Sequence, residues 1–79
     1  MADKKEIELE NKKIKYLRWV VDLSLLEVRS GSLSLAEAYA LEESVRQFAL
    51  RLFPGKDEAF RIIYSPRFRR AISERYVLQ

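Results

Sequence analysis

Cysteine and histidine are both missing from this chain of 79 residues, and the two absences exclude more chemistry than any residue present suggests. Without thiols there is no disulfide to staple a small fold, no thiolate nucleophile and no cysteine-ligated zinc. Without imidazole, the commonest general acid and base at neutral pH is gone as well. Glycine and proline are scarce, at two of each; Gly31 and Gly55 lie far apart, so no glycine-rich phosphate loop can form. Long uncharged runs are also lacking. The most apolar window, Ile14 to Val28, contains Lys15, Arg18, Asp22 and Glu27, charges that are costly in hydrocarbon, so no membrane span is expected. The opening MADKKEIELENKK is charged throughout and leads to no short apolar segment with a small-residue cleavage site. No secretory signal is expected, and a cytoplasmic location follows as the default.

What is present belongs to a folded chain. Hydrophobic residues make up 48% and charged residues 34%, enough apolar surface to offset the entropy of ordering. A single domain spanning residues 1–79 is expected, with residues 1–5 frayed. At this length folding buries only about 60% of the surface of the extended chain, so the core needs supplementing, here by close packing or self-association.

The punctuation marks predict an all-α fold. Gly31 follows Arg29 and Ser30 and suits the left-handed residue that ends a helix. Ser34 and Glu37 have the spacing of a capping box, so a second helix should run from about Leu35 to Leu52, ending before Pro54-Gly55. Asp57 offers a side-chain cap for a short third helix through Tyr64. Ser65-Pro66 offers a hydroxyl cap followed by proline in the first turn of a fourth helix, running roughly from Pro66 to Val77. These last two segments equally suit one helix kinked at proline. The expected architecture is a small antiparallel bundle of three to four helices: two long ones followed by two short ones or one kinked one.

Successive helical residues are 100° apart around the axis, and this sorts the first helix into two apolar stripes on opposed sides. Ile14, Leu17, Val21, Leu25 and Val28 form one; Tyr16, Trp19, Leu23 and Leu26 form the other. The second helix has a single seam of Ala38, Leu41, Val45, Phe48 and Leu52. One neighbouring helix therefore covers only one stripe of the first. In the plainer reading the C-terminal residues Phe60, Ile63, Phe68, Ala71 and Ile72 cover the other, and the first helix is the middle layer of a monomer. In the second reading Tyr16, Trp19, Leu23 and Leu26 are a partner interface, shared with another copy of the chain or a protein partner. Burying four such side chains completely is worth about 6 to 10 kcal/mol in transfer free energy, before the costs of association.

Charge is concentrated late in the chain, where Arg61, Arg67, Arg69, Arg70 and Arg75 face the single acid Glu74. Arginine forks suit phosphate or carboxylate, and the start of a helix adds positive potential, which makes Arg67, Arg69 and Arg70 candidate anion contacts. The plain alternative pairs them with Glu37, Glu42 or Glu43 within the chain, and a third reading has the last helix present them to an acidic protein partner. A nucleic-acid-binding helical domain is the alternative function, opposed by a net charge of only +3 and by a connection too short for a helix-turn-helix. The stretch RRAIS around Ser73 resembles a basophilic kinase site no more than chance provides. Glu42 and Glu43 are adjacent and diverge on a helix, so they cannot act as a paired acid and base. No catalytic residue, cofactor, metal ligand or small-molecule substrate is indicated, and the chain is not expected to be an enzyme. The function read from the residues is a small helical interaction or regulatory module that self-associates through its first helix.

Overall fold

The computed structural model describes residues 3–76, and they form four α-helices without strands. Helix α1 spans Lys4–Ser30, α2 Leu35–Leu52, α3 Asp57–Ile63 and α4 Ser65–Arg75. The expected small all-α bundle is what the chain adopts, and the C-terminal region is two helices, not one kinked one. Of the expected frayed start, Met1 and Ala2 lie outside the described residues, as does Val77 at the other end. The Asp3 side chain accepts a hydrogen bond from the Lys5 amide at 2.6 Å and opens α1 at Lys4.

Local chemistry sets the boundaries. Gly31 takes the left-handed conformation, with φ 77°, and its amide returns to the Val28 carbonyl to close α1. The Ser34 hydroxyl accepts from the Glu37 amide at 3.1 Å while the Glu37 carboxylate accepts from the Ser34 amide at 2.8 Å, completing the capping box. Pro54 and Gly55 then occupy the middle of a turn closed by the Lys56 amide on the Phe53 carbonyl. Gly55 has φ 80°, as the third residue of a type II turn requires.

Two expected caps are not used. Asp57 is the first residue of α3 instead of its cap, because its carboxylate is held by Arg46 of α2 at 2.7 Å. Ser65 lies inside α4, which starts from Tyr64 without a side-chain cap. The break at Tyr64 follows from Pro66, which has no amide hydrogen for the Ile62 carbonyl and whose ring would press against it. The amides of Arg67 and Phe68 turn instead to the Tyr64 carbonyl.

The core lies on one side of α1. Leu17, Val21, Leu25 and Val28 are buried against Ala38, Val45 and Ala49 of α2, Phe60 of α3, and Phe68, Ala71 and Ile72 of α4. Helix α4 packs on both α1 and α2, and α3 bridges α2 to α4. The Tyr76 hydroxyl donates to the Leu33 carbonyl, tying the end of α4 to the α1–α2 turn. Residues 3–12 are exposed without exception, so the first turns of α1 stand off the bundle as a helical arm. The molecule measures 52 × 21 × 15 Å.

At Gly31 a β-carbon would be strained by φ and would also collide with the Arg75 guanidinium; at Gly55 nothing lies within 4 Å. Gly31→Ala is therefore expected to lower stability by about 1 to 3 kcal/mol, and Gly55→Ala by about 1 kcal/mol, in urea denaturation. Equal losses at the two sites would show that Arg75 yields without cost.

Candidate interaction site

The two stripes of α1 have opposite fates. The stripe containing Leu17, Val21, Leu25 and Val28 is shared by α2 and α4, with only Ile14 at its edge left 40% exposed. On the other, Tyr16 is 52% exposed, Trp19 58%, Leu23 46% and Leu26 64%. The C-terminal helices do not cover this face, contrary to the plainer reading of the sequence. Phe60, Phe68, Ala71 and Ile72 all turn to the stripe that α2 already occupies, while Ile63 remains exposed. The reason lies in α4: Phe68, Ala71 and Ile72 sit on one side of an 11-residue helix, and that side fills the groove between α1 and α2, leaving no apolar face for a second contact.

The exposed face is structured. The ring of Tyr16 meets Trp19 edge-on at 6.0 Å and Phe48 of α2 at 5.5 Å, so the two aromatics are propped against each other and against the bundle. The Lys13 ammonium lies over the Phe53 ring at 5.9 Å. Beside them, Lys12, Lys13, Tyr16, Phe48 and Leu52 line an open groove. The exposed face also continues into the arm through Leu9, 55% exposed. The sequence reading omitted that residue, although its seven-residue spacing from Tyr16 signals it.

The arginines divide. The Arg69 Nε donates to the Glu42 carboxylate at 3.2 Å, and its guanidinium lies over the Tyr39 ring at 5.7 Å. Glu42 is buried, so this pair within the chain satisfies a carboxylate that would otherwise be costly to desolvate. Glu42 is one of the three acids that the sequence offers for the role. Arg67 stacks over Tyr64 at 5.7 Å and, with Arg70, lines a cleft of about 410 Å³ shared with Asp22, Leu25, Arg29 and Pro66. The three candidate anion contacts are thus not brought to one point: Arg69 is taken, while Arg67 and Arg70 face α1.

Sequence reasoning missed Arg46, which ties α2 to α3 by donating to Glu43 and to Asp57, each at 2.7 Å. Only its Glu43 contact, three residues away on the same helix, had a local signal. Also unforeseen is an apolar cleft of about 240 Å³ at the base of the arm, between Ile14, Leu17, Phe53, Phe60, Ile63 and Tyr64. Among the described residues no group of acids could hold a metal ion, and no helix is long and apolar enough to cross a membrane.

Two carboxylates titrate abnormally for local reasons. Hydrogen bonds from Arg46, and then from Gln47, lower Glu43 from the ordinary 4.5 to about 2. The amide and hydroxyl of Ser34 hold Glu37 below its ordinary range. Both folded-state values lie below the unfolded ones, so their contribution is present above about pH 4.5 and is lost as pH falls toward 2. Stability measured by urea melts is expected to drop across that window, and a Glu37→Gln/Glu43→Gln variant should show a flatter acid limb. An acid limb identical to the parent's would assign the loss to other groups.

Comparison with protein-family models, curated proteins and solved structures gives no match for this chain. The functional reading therefore rests on the surface itself.

Proposed function

We propose that the chain is a small cytoplasmic interaction or regulatory module that self-associates through the outward face of α1. The observation that supports this is the continuous apolar face of Tyr16, Trp19, Leu23 and Leu26, each about half exposed or more in the isolated fold. Monomeric proteins rarely leave such a contiguous patch in water. Because these side chains are already partly covered, their remaining burial is worth about 3 to 6 kcal/mol per protomer, and a symmetric pair doubles it. That total is comparable to the rotational and translational cost of association. The affinity should accordingly be moderate, with assembly depending on concentration.

Sedimentation velocity and light scattering from about 1 to 500 μM test the reading. A mass that rises with concentration toward a discrete multiple of 9.4 kDa is expected; a constant monomer mass across the range overturns it. The arginine cluster is weaker support for a nucleic-acid partner, because Arg69 is already matched by Glu42 and Arg67 and Arg70 share their cleft with Asp22.

A further inference from the structure

The exposed face of α1 has a finer periodicity than a patch requires. Its residues Leu9, Lys12, Tyr16, Trp19, Leu23 and Leu26 follow one another at intervals of three and four without interruption, the spacing of the a and d positions of a two-stranded coiled coil. All six are exposed, while the opposite side of the same helix supplies the chain's own core. The seam is therefore additional to the fold.

The flank beside this seam is charged in a regular way. Glu8, Lys15, Asp22 and Arg29 recur every seven residues with alternating sign. All four are exposed, and none forms an ion pair within 4 Å among the described residues, although Asp22 and Arg29 also border the cleft they share with Arg67 and Arg70.

We infer that the partner for this face is a second copy of the chain, with its α1 lying antiparallel to the first and the two-fold axis passing beside Leu17 and Arg18. This rests on the self-association proposed above and adds orientation and register to it. In an antiparallel pair, flank residues of this kind on one helix face the same kind on the other. Glu8 then meets the partner's Arg29 and Lys15 meets the partner's Asp22, and the two-fold axis repeats both attractions. In the core, Leu9 faces the partner's Leu26, Tyr16 faces the partner's Trp19, and the Lys12 stem lies along the partner's Leu23 with its ammonium reaching water.

The alternatives are penalised. Slipping by one heptad in one direction sets Glu8 against the partner's Asp22 and Lys15 against the partner's Lys15. Slipping in the other direction gains Lys13 against the partner's Glu27 but sets Lys15 against the partner's Arg29 and Asp22 against the partner's Asp22. A parallel pair gains Glu8 beside the partner's Lys13, but it stacks Lys12 on the partner's Lys12 in the seam and brings Asp22 beside the partner's Glu27. In the antiparallel register the cost is one exposed like-charge contact at each end, between Glu6 and the partner's Glu27, which solvent screens. Orientation also decides what becomes of the arm. Antiparallel, residues 4–13 lie along the partner's residues 22–31, next to the bundle; parallel, arm lies only on arm.

Because the chain has no cysteine, single engineered thiols report orientation directly. Leu9→Cys and Leu26→Cys are expected to form a disulfide when mixed under mild oxidation and not when each is oxidised alone. Disulfides within the separate variants would show a parallel pair and overturn the inference. Charge exchange provides an independent readout: Lys15→Glu should weaken association by about tenfold, and adding Asp22→Lys should restore it to within about twofold of the parent. No restoration, in a parent shown by light scattering to be dimeric, overturns this register while leaving self-association standing. A monomeric parent overturns both.

Discussion

Phe68→Ala is expected to lower stability by about 3 to 5 kcal/mol, with a cooperative melt in far-ultraviolet circular dichroism shifted far below the parent's. Phe68 is 0% exposed and is among the largest fully buried side chains, together with Val21 and Val28. It belongs to the core shared by the helices and lies on α4, which packs on both α1 and α2, so its removal opens a cavity in that core. Truncating a buried phenylalanine costs about 3 to 5 kcal/mol. A domain of this length has about 4 to 12 kcal/mol in total at the usual range per residue, so the loss consumes about a quarter of it or more. Phe68→Leu, which keeps most of the volume, should lose about 1 to 1.5 kcal/mol and remain cooperative. If the alanine variant melted as the parent does, the placement of α4 in the groove between α1 and α2 would be wrong.

Trp19→Asp is expected to leave the fold intact and to weaken self-association by at least about a hundredfold. Trp19 is 58% exposed, so its replacement removes little from the monomer's core, and thermal stability at dilution should fall by less than about 1 kcal/mol. In the assembled pair the same change removes an aromatic anchor propped by Tyr16 and places a carboxylate in a desolvated seam. Central aromatic residues of this kind cost about 2 to 4 kcal/mol on truncation, and an unpaired buried charge adds to that. Sedimentation equilibrium of parent and variant measures the difference. A variant that associates like the parent would remove Trp19 from any interface.

These two residues mark how far the sequence could be read. The turn between α1 and α2 was legible because its chemistry is local: Gly31 supplies the left-handed residue, and Ser34 with Glu37 supplies a reciprocal cap. Pro54 and Gly55 ended α2 for the same reason. The starts of α3 and α4 were misassigned because the capping residues answer to distant groups or to none. Asp57 is claimed by Arg46, eleven residues earlier, and Ser65 is bypassed by the backbone at Tyr64. The double-sided character of α1 was also plain from its periodicity, but periodicity states that a stripe is apolar and not which element reaches it. That α2 and α4 both dock on the stripe of Leu17 and Val21 depends on how Phe68 fits between two helices, a property of shape that no spacing records. Among the arginines, three acids were plausible partners for the cluster; only the packing of α4 across α2 selected Glu42 for Arg69.

The arm of α1 carries a last consequence, for spectroscopy. Residues 4–12 have little but a hydrogen-bonded backbone, the Asp3 cap and the Glu10–Lys13 ion pair to hold them in helical form, and a lone segment of that length is marginal in water. Their helicity is therefore borrowed from the neighbouring turns and, in the proposed pair, from a second chain. On dilution the amide protons of Ile7 and Leu9 should exchange with solvent orders of magnitude faster than those of Val21, so this short stretch acts as a built-in reporter of whether the chain is alone.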